Sequence, residues 1–175
     1  MSNLTLEPAR PADAAAILAI HYDAVHNGPA KDCYPPEVLN DWSPPVGKQR
    51  IAAFARGFEL SDAIGVIACL DGEPVGFGVF KEPSKMIGAI YVKAIHGGKG
   101  IGGNILAHLE TLAAGRGIRV LHLASSLNAR NFYARHGYEP EKEGYHVLPT
   151  GRSMRCIKMK KILKKTLQEP ESYHL

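Results

Sequence analysis

An apolar run that breaks into glycine constrains this chain more than any other feature. Residues Met86-Ile87-Gly88-Ala89-Ile90-Tyr91-Val92 carry no polar group except the Tyr91 hydroxyl. That composition predicts a buried central strand. Lys93-Ala94-Ile95-His96 follows, and then five glycines fall within residues 97–103. Ile101, Ile105, Leu109 and Leu112 then recur at helical spacing, up to Gly115-Arg116-Gly117. A strand therefore turns through glycine into a helix N-terminus. Unpaired amide N–H groups and the positive end of the helix dipole meet at such a point. Glycine lets the main chain close around an anion because no Cβ intrudes. The segment predicts a phosphate cradle, since five glycines exceed what a tight turn needs.

Pro and Gly punctuate the remainder. Leu4–Glu7 reads as a first strand. Ala14, Ile17, Leu18, His21, Ala24 and Val25 form a helical face that Asn27-Gly28-Pro29 stops. Short helices are expected from Pro35-Pro36 to Trp42 and from about Gly47 to Arg56. Ile64–Leu70 and Val75–Lys81 flank the turn Asp71-Gly72-Glu73-Pro74 and form a hairpin. After the glycine-led helix come a strand at Arg119–Ala124 and a short helix at Asn128–His136 with Gly137 as its stop. Tyr145–Leu148 and Ser153–Met159 read as a last antiparallel pair. Hairpins mixed with crossovers imply an α/β domain with a largely antiparallel central sheet of about six to seven strands, flanked by helices. One domain over residues 1–166 and a polar, frayed tail over 167–175 account for the 175 residues.

Composition excludes several classes. Apolar residues are 45% and charged residues 22%, the balance of a globular protein and not of a disordered or fibrous one. No apolar run approaches the roughly 18 residues that span a bilayer. The first residues lack the basic-then-apolar order of an export signal. Cys33, Cys69 and Cys156 show no Cys-x-x-Cys spacing and read as reduced thiols of a cytoplasmic protein, with no metal site. A net charge of +4 permits an anionic ligand. The lysines of 158–165 read as solvated positions beside inward Ile157 and Met159, so nucleic acid is not the expected partner.

Three kinds of phosphate cradle compete for the glycine segment. A nucleoside-triphosphate loop requires Gly-x-x-x-x-Gly-Lys-Ser/Thr, but Gly98-Lys99 is followed by Gly100. A dinucleotide fingerprint is literally met by Gly98, Gly100 and Gly103. Five residues nevertheless separate Val92 from Gly98, and the next strand ends in Ser125-Ser126 with no acid for a ribose. The third is a family pattern. Tyr91-Val92 followed by Gly98-Lys99-Gly100-Ile101-Gly102 resembles the coenzyme A signature of the GNAT N-acetyltransferases, with Gly100 and Gly102 at its glycines and Gly97 where Gln or Arg is usual. Arg10-Pro11-Ala12, the hairpin around Asp71–Gly76, and Asn128–Tyr138 also stand where that family places them. The likeness covers about residues 4–162 and resembles a broad bacterial-type subgroup of undefined acceptor.

The resemblance implies an acetyl-CoA-dependent N-acetyltransferase that uses no metal and acts by direct attack of an amine in a ternary complex. It implies that amides from Gly97 through Gly98, Lys99, Gly100, Ile101, Gly102 and Gly103 meet the diphosphate. The pantetheine arm would lie along Ile90, Tyr91 and Val92, with a backbone N–H at Ile90 on the oxyanion. Asn128 matches a position that reaches the arm, although it also suits a helix N-cap. Tyr133 matches the general acid that protonates the leaving thiolate. The usual Glu early in the central strand is absent, since Met86, Ile87 and Gly88 stand there. Glu82, Glu37, Asp41, His21 and His26 remain candidates for the base, as does a water chain. His21, Tyr22, His26, Tyr34 and Trp42 are the candidates for lining the acceptor pocket. The expected partner is a small-molecule or peptide amine, for a monomer or homodimer. Two other readings stand beside this one: a coenzyme A-binding module without catalysis, and, as a minor option, a dinucleotide-binding enzyme.

Overall fold

The structure is a computed structural model that describes residues 3–164. The expected polar tail at 167–175 and the domain end at 166 lie outside the described residues. β1 (Leu4–Pro8) leads into α1 (Ala14–Asn27), α2 (Pro36–Trp42) and α3 (Lys48–Glu59). The hairpin β2 (Ala63–Leu70) and β3 (Glu73–Lys81) follows, then β4 (Met86–Val92) and α4 (Ile101–Gly115). β5 (Val120–Ser126), α5 (Arg130–Arg135), β6 (Glu139–Val147) and β7 (Ser153–Ile162) complete the chain. The strands form one sheet in the order β1-β2-β3-β4-β5-β7-β6. Every neighbouring pair is antiparallel except β4 with β5. The expected mixed, largely antiparallel α/β architecture is what the chain adopts.

Two apolar clusters clamp the sheet from opposite faces. Ile105, Leu106 and Leu109 of α4 pack with Val66, Phe80, Leu121 and Met159 on one face. Ile17 and Ile20 of α1 pack with Ile67 and Phe77 on the other. Burying each such Leu or Ile contributes about 1.5–3 kcal/mol, so these clusters fix how the helices sit. Gly76 and Gly78 of β3 let α4 approach closely. A methyl group at Gly76 would lie 3.0 Å from both Ile105 Cδ1 and the Tyr91 carbonyl. α5 stops where expected: Gly137 takes the left-handed conformation (φ 86°), and its N–H donates to the Ala134 carbonyl at 3.1 Å.

Three expectations need correction. β4 is not buried throughout; only Ile87 is buried and Gly88 is exposed. One edge of this strand and part of its surface face a cleft, which an apolar sequence does not reveal. The helix expected at 128–136 is a 3-10 turn over Leu127–Ala129 followed by α5. β6 begins at Glu139, not Tyr145. Its first half, Glu139-Pro140-Glu141-Lys142-Glu143, is exposed on the sheet edge, and no apolar alternation marks such a strand.

Candidate active site

The parallel contact between β4 and β5 is brief. Its register is the single pair Met86↔His122, and the His122 N–H donates to the Lys85 carbonyl at 3.0 Å. Beyond that point the two strands diverge, and the β5-facing edge of β4 loses its strand partner among the described residues. A cleft of about 740 Å³ opens there. Ile90, Tyr91 and Val92 line one wall, the glycine turn closes one end, and Asn128 and Tyr133 face the same space.

The glycine turn is anchored from α1, where Asp23 accepts a hydrogen bond from the Ala94 N–H at 2.6 Å. That contact had no signal in the sequence. Gly98 (φ 73°) and Gly100 (φ 81°) occupy the left-handed region, which a Cβ disfavours. Gly100 caps α4, and Asn104 steadies the turn by donating to the Gly100 carbonyl at 2.9 Å. Gly97, Gly98, Gly100, Ile101, Gly102 and Gly103 all line the cleft. Two of these glycines also have a packing role. A methyl group would lie 3.3 Å from the Phe132 ring at Gly102 and 2.8 Å from His136 Nε2 at Gly103. They therefore let α4 touch α5. Lys99 is exposed and is not part of the cleft wall, whereas Arg135 is.

Tyr133 is buried, with its ring edge-on to Phe132 and Tyr138. Its hydroxyl makes no hydrogen bond to the described residues. Burial raises its pKa, so the phenol keeps its proton at neutral pH. Asn128 caps neither the 3-10 turn nor α5, and its Oδ1 is buried without a partner. A buried carbonyl oxygen without a donor is costly, and the Asn128 side chain that carries this one borders the cleft.

The helical wall differs from its expected form. Of His21, Tyr22, His26, Tyr34 and Trp42, only Trp42 lines the cleft. Its indole N–H donates to the Tyr91 hydroxyl at 3.2 Å. His21 and His26 are both tied to the fully buried Ser43, through Nδ1 to Oγ and through Nε2–H to the carbonyl, each at 2.8 Å. Burial, reinforced by Arg50 and His26, lowers the His21 pKa to about 4. It stays neutral at pH 7 and is a weak base. The Tyr34 hydroxyl donates to the Arg155 carbonyl at 2.7 Å and accepts from the Leu127 N–H at 2.8 Å. It ties the helical segment to β7. Tyr22 stacks on His26 at 4.2 Å between centroids. None of these four lines the cleft: His21 and His26 are held by Ser43 just after α2, Tyr22 rests on His26, and Tyr34, in the turn before α2, is held by β7 and Leu127.

The carboxylate candidates are engaged elsewhere. Glu82 pairs with Arg116 at 3.1 Å. Asp41 accepts from Arg152 at 2.6 Å and from Thr150 at 3.0 Å, and these bonds lower its pKa. Glu37 does not line the cleft. The opposite wall comes from residues the sequence reading missed, His146, Met154 and Cys156. Only the pairing of β7 with both β5 and β6 carries them there. Burial raises the Cys156 thiol, so it remains protonated.

Comparison with known proteins fits this geometry. The acetyltransferase (GNAT) family pattern matches residues 29–138. A GCN5-related N-acetyltransferase from Rhodopseudomonas palustris superimposes with a TM-score of 0.80 at 30% identity, covering 93% of this chain and 98% of that one. The chain belongs to the GNAT acetyltransferase family. More distant acetyltransferase structures share its fold. PaiA N-acetyltransferase from Thermoplasma acidophilum, in complex with coenzyme A, aligns at TM-score 0.72 and 18% identity, over 92% of this chain and 99% of that one. YncA from Salmonella typhimurium, solved with acetyl-CoA, aligns at TM-score 0.65 and 22% identity, over 94% and 96%. No curated protein matches significantly. Among the described residues of this GNAT protein, no helix is long and apolar enough to cross a membrane.

Proposed function

We propose that this GNAT protein is an acetyl-CoA-dependent N-acetyltransferase that acts by direct attack of a primary amine in a ternary complex. The observation that carries the reading is the convergence of three features on one cleft. These are the glycine turn at the N-terminus of α4 and, among the described residues, the unpartnered edge of β4 and the free hydroxyl of Tyr133. The buried, unpaired Oδ1 of Asn128 supports the fit of a ligand rich in amide N–H groups. The relatives solved with coenzyme A and acetyl-CoA support the same donor.

When bound, acetyl-CoA supplies a thioester whose carbonyl carbon an amine can attack. Amides of the Gly98–Gly103 turn bind the diphosphate, aided by the helix dipole. The open edge of β4 at Ile90, Tyr91 and Val92 pairs with the pantetheine amides as an added strand would. A backbone N–H at Ile90 stabilises developing negative charge on the acyl oxygen. Asn128 Oδ1 accepts a hydrogen bond from the arm. Tyr133 holds its proton at Oη and gives it to sulfur as the amine bond forms. The protonated Cys156 takes no covalent part. No carboxylate lines the cleft among the described residues, so the amine proton passes to solvent at the cleft mouth.

The test is thiol release from acetyl-CoA across a panel of primary amines, with Tyr133→Phe beside the parent. General acid catalysis of this kind is worth about 10²–10⁴-fold, so the variant should lose that much kcat while retaining coenzyme A affinity. Full turnover in the variant removes Tyr133 from the chemistry. Coenzyme A binding with no thiol release from any amine would favour a non-catalytic module.

A further inference from the structure

The far end of the cleft, away from the glycine turn, is basic and carries no acid. No Asp or Glu lies among the described residues that line the cleft, whereas Lys81 and His146 do. Lys81 comes from the end of β3 and lies across Gly88, where a methyl group would be 3.1 Å from its Cε. Lys158 of β7 lies in the same way across Gly144, with its Cε 3.3 Å from the corresponding position. Lys142 sits opposite Lys158 in the β6–β7 register. Nearby carboxylates are already matched: Glu141 holds Lys160 at 3.0 Å and faces His122 at 3.8 Å, and Glu143 holds Arg155 at 3.2 Å. Lys81, Lys142 and Lys158 have no carboxylate partner among the described residues. His146 itself is exposed at the cleft, and partial desolvation first, then the charges of Lys158 and Lys81, lower its pKa, so both lysine fields fall on this imidazole.

This cluster is not the diphosphate site. Lys81 pairs in register with Met86 at the start of β4, and the glycine turn follows Val92 at its end. Six steps of about 3.3 Å each put the two ends about 20 Å apart. Between them Trp42, Tyr91 and Met154 offer apolar surface.

We propose that the acceptor is a primary amine that also bears an anionic group, a carboxylate or phosphonate. Lys81 and His146, which line the cleft, hold that group; Lys158, lying against Gly144, adds positive charge beside His146; and the apolar body rests against Trp42 and Met154. An amino acid with an aromatic or thioether side chain has this chemistry. Polyamines and aminoglycosides have the opposite charge and would need carboxylates here. The inference rests on the acetyl-transfer reading and names the substrate class of the same site.

The first arm measures thiol release with L-phenylalanine and L-methionine, with their decarboxylated amines, and with spermidine. Charge-assisted hydrogen bonds of this kind favour the amino acids by roughly tenfold to hundredfold in kcat/KM. The second arm follows the His146 imidazole by NMR as N-acetyl-L-phenylalanine or N-acetylphenethylamine is added with coenzyme A present. The acid should raise the His146 pKa, and the neutral analogue should not. The Lys81→Met/Lys158→Met double variant should erase both the preference and the shift while coenzyme A affinity holds. Preference for spermidine or the decarboxylated amines, equal responses to the two N-acetyl compounds, or a shift produced by coenzyme A alone would overturn the proposal. Absence of thiol release from every amine strikes the acetyl-transfer reading instead, and the imidazole titration still decides the anion site.

Discussion

Replacing Gly78 with Ala tests whether contact between sheet and helix sets the position of the glycine turn. A methyl group there would overlap Ile105 Cγ2 outright and sit 2.9 Å from Leu109 Cδ1. Carbon atoms rest about 3.5–4.0 Å apart, so α4 must lift or both side chains must leave their rotamers. Ile105 and Leu109 are each 0% exposed, which leaves neither room to turn away. Overpacking of this kind costs about 1–3 kcal/mol. For a chain of this size about 1 kcal/mol lowers Tm by about 2–4 °C, so a fall of roughly 3–10 °C is expected. Because α4 begins just after Gly100, its displacement also moves the amides that face the cleft, and coenzyme A affinity should fall with stability. Gly57→Ala is the matched control. That position lies inside α3 with nothing within 4 Å of the added carbon, so the same change should stabilise by about 0.5–1 kcal/mol. Urea unfolding of both variants, with a coenzyme A titration of each, provides the comparison. If Gly78→Ala is as stable as Gly57→Ala, α4 is not pressed against β3 at this point and the reasoning fails.

Two further predictions concern the site. Gly100→Glu combines a side chain at φ 81° with a negative charge at the start of α4, so coenzyme A affinity should fall by at least roughly tenfold. Unchanged affinity, measured by thermal shift, would place the phosphates elsewhere. The lowered pKa of His21 makes stability depend on pH. The folded state resists protonating this imidazole down to about pH 4, whereas the unfolded chain takes the proton near 6.5. Stability is therefore full above the unfolded value and falls as pH drops from there towards 4, by up to about 3 kcal/mol. The urea midpoint should decline across that window, and His21→Gln should flatten the slope. An equally steep slope in the variant would assign the effect to other groups.

The architecture was legible along the chain because each level agreed with the others. Helical spacing in α1 and α4, alternation and turn residues around β2 and β3, and glycine at the stop of α5 are local signals. Each element forms for reasons carried within a few residues. Glycine at 98 and 100 is equally local, since the left-handed backbone is needed wherever the turn sits. The edge strand β6 was half hidden because charged residues exposed on both faces leave no period to read.

The far wall of the cleft could not be read in this way. Lys81, His146, Met154 and Cys156 are distant in sequence and meet only because β7 inserts between β5 and β6. The packing role of Gly102 and Gly103 likewise depends on where Phe132 and His136 arrive. The same holds for the helical wall: Tyr22, His21, His26 and Tyr34 have the right chemistry for a pocket, but helix packing turns them into its support and leaves Trp42 at its surface. Residue identity and local spacing determined which elements this chain builds and where its glycine turn lies. Which side chains share the cleft was decided by sheet order and helix docking, because those contacts join residues that no short stretch of sequence brings together.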